Sequence, residues 1–173
     1  MMSDQAFQQL FEAAQQGNGF AITLLGLQLI NYQTNVELGK GLIFAAADSK
    51  NVIWAKSLKS YMCSHQQWRL PLQNNITLDN YALVQFCKYI DKDDLWAIAI
   101  LGHMYYHGIS VPCDREQGKI LLSCATCSIS LTRKNLWAKE LIQEYGITAT
   151  TNLVERIKFL ADFTKKFKAI KFQ

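Results

Sequence analysis

The sequence predicts an all-α fold, an α/α superhelical solenoid of stacked helical hairpins closed by a C-terminal capping helix. Three observations carry this expectation. An aromatic residue followed by alanine occurs at Phe20-Ala21, Trp54-Ala55, Trp96-Ala97 and Trp137-Ala138, with steps of 34, 42 and 41 residues between alanines. That is the spacing of a helix–turn–helix repeat with variable loops. The chain also resembles itself: about 3–62 and about 78–145 read as two diverged copies. Finally, no alternating run bounded by hairpin turns suggests a strand.

The elements follow in order from that self-similarity. Helices over 3–16 and 78–91 are expected because "SDQAFQQLFEAAQQ" aligns with "LDNYALVQFCKYID", placing Asp4 on Asp79 and Phe11 on Phe86. Helices over 19–31 and 94–107 follow from Phe20, Ala21, Ile22 and Leu25-Gly26 matching Trp96, Ala97, Ile98 and Leu101-Gly102. In the second of these, apolar residues at 97, 98, 101, 104 and 105 have helical spacing, Asp94 supplies an N-cap and Gly108 a stop. "GKGLIFAA" and "GKILLSCA" pair a helix over 37–48 with one over 114–127, capped by Asp114. "IWAKSL" and "LWAKEL" pair 51–62 with 134–145. The offset grows from 75 to 83, and each increase falls at a loop, as insertions after a duplication would. Residues 63–77 form the longest irregular link, where Pro71 disfavours helix. The last helix, 152–171, is capped by Thr151 or Asn152 and carries apolar residues at 153, 154, 157, 160, 161, 163, 167 and 170. Its lysines cluster late, where the helix dipole favours them. Residues 1–150 are thus a repeat array and 151–173 a basic amphipathic cap.

One unit carries a family pattern. Ala97, Leu101, Gly102, Tyr105, Gly108, Val111 and Asp114 resemble the Sel-one-like repeat, a relative of the tetratricopeptide repeat, and Ala13, Ala14, Gly17 and Ala21 resemble its joining segment. The unit at Ala21 keeps Leu25 and Gly26 but has Leu29 and Tyr32 where the Tyr and second Gly belong, and those at Ala55 and Ala138 keep little beyond their first turn. The resemblance implies an α/α superhelix whose inner surface binds another protein. Physically, small residues at 97 and 102 allow close helix approach, and each unit buries its apolar face by stacking on the next.

Bulk properties narrow the function. The formal net charge is +4, and residues 151–173 hold six basic residues against two acidic ones, so the body is neutral with a basic tail. Neither nucleic acid nor a membrane is an expected partner, because no aromatic-interleaved groove accompanies that tail. Five cysteines at 63, 87, 113, 124 and 127 have no framework spacing. The first residues lack a signal-peptide pattern, and the longest apolar run, "FAITLLGLQLI", falls short of about 18 residues. A reducing cytoplasmic setting with free thiols is expected.

The chemistry-bearing residues are few. His103 and His107 stand at i, i+4, with Cys113 the nearest further ligand type, but solvent- or partner-facing histidines are expected rather than a metal. Cys124 and Cys127 form one CxxC, expected as buried apolar thiols. The "GKG" at 39–41 lacks the glycine and Ser/Thr of a phosphate loop, and Gly39 and Gly118 read as close helix contacts. "DKDD" at 91–94 reads as a solvated turn with a cap. No serine–histidine–acid or paired-carboxylate set stands out. No cofactor is expected.

The expected function is therefore non-catalytic protein binding. A concrete form is a bacterial immunity protein that occludes a cognate toxin. A regulatory or secretion-linked adaptor is the second reading and a hydrolase the third. The expected partner-binding residues are His103, Tyr106 and His107, their counterpart Asn31, and the aromatic series Trp54, Trp96 and Trp137, which reads either as a structural ladder or as a row of anchors.

Overall fold

The computed structural model describes residues 2–148 and 152–169, and among them every long element is a helix. In chain order these are α1 (Asp4–Gln15), α2 (Gly19–Asn31), α3 (Val36–Asp48), α4 (Ile53–Ser64), α5 (Asn80–Asp91), α6 (Leu95–His107), α7 (Arg115–Ala125), α8 (Leu136–Glu144) and α9 (Leu153–Lys168). A short 3₁₀ turn, Leu72–Asn75, follows Pro71 in the long link. Each expected helix forms. Among the described residues no helix is long and apolar enough to cross a membrane.

Capping explains most of the boundaries. Side chains of Ser3, Asn18, Asn35, Asp79, Asp94, Asp114, Asn135 and Asn152 each accept a hydrogen bond from a first-turn amide. Such caps are each worth about 1 kcal/mol. Gly108 ends α6 in the left-handed region at φ +68°, as its position predicts. Asn152 is the cap of α9; Thr151, the alternative, lies outside the described residues.

The two halves correspond element by element, with one correction to the expected register. The N-caps Ser3 and Asp79 correspond, as do Asn18 and Asp94, so α1 and α5 align at an offset of 76 rather than 75. Leu10, not Phe11, therefore matches Phe86, and both are fully buried. Matching the aromatic rings of Phe11 and Phe86 puts the sequence alignment one residue out of register. Later offsets are 79 for α3 and α7, set by caps Asn35 and Asp114, and 83 for α4 and α8, set by Trp54 and Trp137.

The tightest packing in each half is one hairpin, α2–α3 and α6–α7. Both are closed by paired glycines. A methyl group on Gly26 would sit 2.8 Å from the Gly39 carbonyl, and one on Gly39 would sit 2.7 Å from the Gly26 carbonyl. A methyl group on Gly118 would sit 2.5 Å from the Tyr106 backbone nitrogen and 2.8 Å from the Gly102 carbonyl. Backbones this close leave no room for a β-carbon, so the expected close contact at Gly39 and Gly118 is observed.

The halves contact each other in both directions. α4 of the first touches α5 of the second, α8 of the second touches α1 of the first, and α2 meets α6 between them. Matching side chains make these joints. Gln85 accepts from the Ile53 amide at 2.7 Å and donates to the Asn51 carbonyl at 2.7 Å. Gln9 accepts from the Leu136 amide at 2.8 Å and donates to the Lys134 carbonyl at 2.5 Å. Gln9 and Gln85 are equivalent residues, and so are their targets. Between the joints the two equivalent caps meet: the Asn18 amide donates to Asp94 at 3.0 Å. Reciprocal contact between equivalent groups is the mark of a two-fold arrangement, here within one chain. A small pocket of about 20 Å³ lies between the halves, lined by the equivalent pairs Leu24 and Ile100, Gln28 and Met104, and Trp54 and Trp137 among others.

α9 completes the second half. It lies mainly along α5, touches α7, and inserts Phe163 against Tyr105 of α6 at 6.0 Å between ring centroids. Its buried side is Leu160, Phe163 and Thr164, with Phe159 and Phe167 half-buried. The apolar stripe is narrower than expected, since Val154 and Ile157 are exposed at the helix edge. Position 170 lies outside the described residues. Two tail cations are anchored: Lys168 pairs with Asp91, and Arg156 donates to the Ser123 and Cys127 carbonyls at the end of α7, each at 3.5 Å.

Candidate functional site

The expected partner residues separate into two sets. Trp54, Trp96 and Trp137 are core side chains, exposing 1%, 6% and 6% of their surface. Trp54 and Phe20 both pack on Phe86, at 5.9 and 4.6 Å between ring centroids. Trp96 stacks on Trp137 at 6.3 Å and 19°. These rings fill the space between the halves, as a structural ladder does. With so little surface left, Trp54, Trp96 and Trp137 do not stand open as anchors for a partner. The reason is closure: the inner face of each half packs on the other.

The second set comes together. Asn31, His103 and His107 meet between the C-terminal ends of α2 and α6 and the end of α8, and Tyr106 lies beside them, stacked on Tyr145. A cleft of about 350 Å³ opens there, lined by Asn31, Tyr32, His103, His107, Glu140 and Tyr145 among others. Asn31 forms one wall by holding the link, its Oδ1 accepting from the Leu72 amide at 2.9 Å. Ser110 adds a second tie, donating to the Gln73 carbonyl at 2.8 Å.

Tyr145, which is not among the residues expected from the sequence, organises the other wall. Its hydroxyl lies 2.6 Å from His107 Nε2 and 3.4 Å from His103 Nδ1. Its ring stacks on Tyr106, at 4.3 Å between centroids and 3° between planes. Arg115 covers the Tyr106 ring at 5.3 Å. Rings fixed in this way lose little conformational entropy on contact. One signal for Tyr145 exists in the register of the two halves: it stands where the first half has the buried Met62.

Burial disfavours the charged forms of His103, His107 and Tyr145. Desolvation, reinforced by His107, pushes the His103 pKa down to about 4. Burial also lowers His107, helped by Arg115 and opposed by Glu144. Burial raises the Tyr145 phenol well above its ordinary value, with Glu144 and Tyr106 adding to the shift. The phenol therefore keeps its proton and can donate to one imidazole while accepting from the N–H of the other.

The remaining singled-out groups lie apart from the cleft or serve the fold. Cys113 Sγ faces the Tyr106 carbonyl at 3.6 Å. Among the described residues no three His, Cys, Asp or Glu side chains converge as metal ligands. The five cysteines are free. Cys124 is buried and its thiol is pushed up to about 12, mainly by desolvation. Cys127 is half-buried and lies just past the end of α7. In the "DKDD" turn Asp94 caps α6, and Asp93 pairs with Arg133 at 3.2 Å. No family model matches the chain, and no curated protein or solved structure matches it either.

Proposed function

We propose that this chain is a non-catalytic protein-binding module, built as a tightly closed array of Sel-one-like hairpins, that presents the cleft at the C-terminal ends of α2 and α6 to another protein. The observation that carries this reading is the convergence of Asn31, His103 and His107 on one cleft, with Tyr106 beside it in the Tyr145 stack that braces the two imidazoles. Rigid aromatic and histidine side chains around a half-open cleft suit an anchor residue of a partner. The concrete form we favour is a bacterial immunity protein that covers a toxin's working surface. Occlusion needs only such a surface and no chemistry of the chain's own.

The test is co-expression with products of the neighbouring genes, scored by growth and by co-purification. The expected result is rescue from one toxic product and a tight one-to-one complex. His107→Ala and Tyr106→Ala should weaken both while leaving the fold intact. Absence of rescue together with absence of any captured protein would overturn the reading. An adaptor is favoured by a separate observation, a second open surface on α1, α2 and α3. It predicts two partners held at once rather than one.

A further inference from the structure

The two halves differ in one respect that the sequence does not announce. In the second half, the groove between α5, α6 and α7 is filled by α9. In the first half, the equivalent groove between α1, α2 and α3 is open, with a volume of about 350 Å³. Its walls are Phe7, Phe11, Leu25, Leu29, Leu38 and Leu42. At the shared offsets these correspond to Leu83, Cys87, Leu101, Tyr105, Gln117 and Leu121.

The open groove is more apolar than the covered one. Phe11 is 41% exposed where Cys87 is 1% exposed. Leu38 is 51% exposed and stands where the second half has Gln117. Leu42 is half-buried where Leu121 is fully buried. A surface relieved of its cover would ordinarily carry polar residues; here Phe7, Phe11 and Leu38 stand on the uncovered side where the covered one has Leu83, Cys87 and Gln117. Contiguous exposed apolar side chains mark contact surfaces.

The molecule itself shows what covers such a groove. We infer that the α1–α2–α3 groove docks an amphipathic helix of a partner protein, seated as α9 is seated on α5, α6 and α7. α9 inserts one ring between the flanking helices and sets Arg156 against the carbonyls ending α7. The partner helix needs large apolar residues at i, i+3 or i+4, and i+7, the spacing of a helix in a groove. It also needs a lysine or arginine near its N-terminal end, where it meets the C-terminus of α3 and its dipole. A second cation at its far end gains nothing, because Gln15 stands where Asp91 receives Lys168. This inference rests on the protein-binding reading but not on the cleft at Tyr145.

The experiment pans a phage library of randomised 16-residue peptides against the full chain. The controls are two variants, the double substitution Phe11→Glu with Leu38→Glu, and His107→Ala. Both glutamate sites are exposed, so the fold should survive, which a thermal melt checks. The expected outcome is enriched peptides with the stated apolar spacing, whose affinity falls at least tenfold on the double variant and is unchanged on His107→Ala. Peptides that lose affinity only on His107→Ala would overturn this inference and leave the cleft reading standing. No enrichment, or enriched peptides that bind both variants normally, would also overturn it. Light scattering that shows a dimer abolished by the double variant would overturn it too, and would assign the groove to a second copy of this chain.

Discussion

The first and second halves share a scaffold and differ in what covers it. Both have side-chain caps on their first three helices, a glycine-closed hairpin and a glutamine joint to the other half. Among the described residues only the second has a helix lying in its outer groove. Scaffold positions are thus fixed by what each half must bury, while the outer face is free to take a helix of the same chain or something else.

The cover should matter most. Phe163 is almost fully buried against α5 and α6, so Phe163→Ala should cost about 3–5 kcal/mol. Phe11→Ala on the open groove should cost at most about 1 kcal/mol, because much of that ring already meets water. Urea unfolding of the two variants sets one groove against the other, and similar losses would mean that the grooves are not different after all.

The glycine pairs come next. Gly118→Ala and Gly39→Ala both force a methyl group into backbone, and each should cost about 1–3 kcal/mol. A β-carbon on Gly41 would meet nothing within 4 Å, and Gly41→Ala should gain about 0.5–1 kcal/mol from helix propensity. Thermal melts of the three variants give the signs.

Local features of this fold are legible in the sequence, and features made by distant contact are not. Helix positions are legible, because caps such as Asp94 and Asp114 and the stop at Gly108 act on their own turns. The glycine pairs are legible, because Gly39 and Gly118 recur at matching places. Closure of the halves is not. It depends on Gln9 and Gln85, which read as ordinary polar helix positions; their targets at the starts of α8 and α4 lie 127 and 32 residues away along the chain. For the same reason Trp54, Trp96 and Trp137 can be read as anchors, since burial by the other half leaves no trace in local spacing. Tyr145 reads as an ordinary helix-end residue, because its partners His103 and His107 lie on a different helix. The open groove is invisible because Phe11 and Leu38 have the spacing of core residues.

The glutamine joints test the symmetry of the halves directly. Each glutamine satisfies two backbone groups at the edge of the other half, so Gln9→Ala and Gln85→Ala should each cost about 1–2 kcal/mol. Near-equal losses in chemical denaturation support the two-fold arrangement; a loss at one site only argues against it.

The smallest effect near neutral pH is the pH dependence that His103 and His107 bring to the second half. His103 is depressed to about 4 in the folded chain, so the unfolded chain binds more protons between that value and the ordinary 6.5. Its contribution to stability is therefore complete above about pH 6.5 and falls as the pH drops toward 4. His107, shifted in the same direction, adds to the fall. Leu27, the equivalent of His103 in the first half, has no such group. His103→Leu should reduce the slope of melting temperature against pH across this window, and an unchanged slope would assign the acid sensitivity elsewhere.

Whether the first groove stands open is read without any partner by methyl NMR with a water-soluble paramagnetic probe, at Leu38 and Leu42 in the first half and at Leu121 in the second. Strong attenuation at Leu38, intermediate attenuation at Leu42 and none at Leu121 are expected from their exposures. Equal protection of Leu42 and Leu121 would mean that the first groove is already covered, and the contrast between the halves would be wrong.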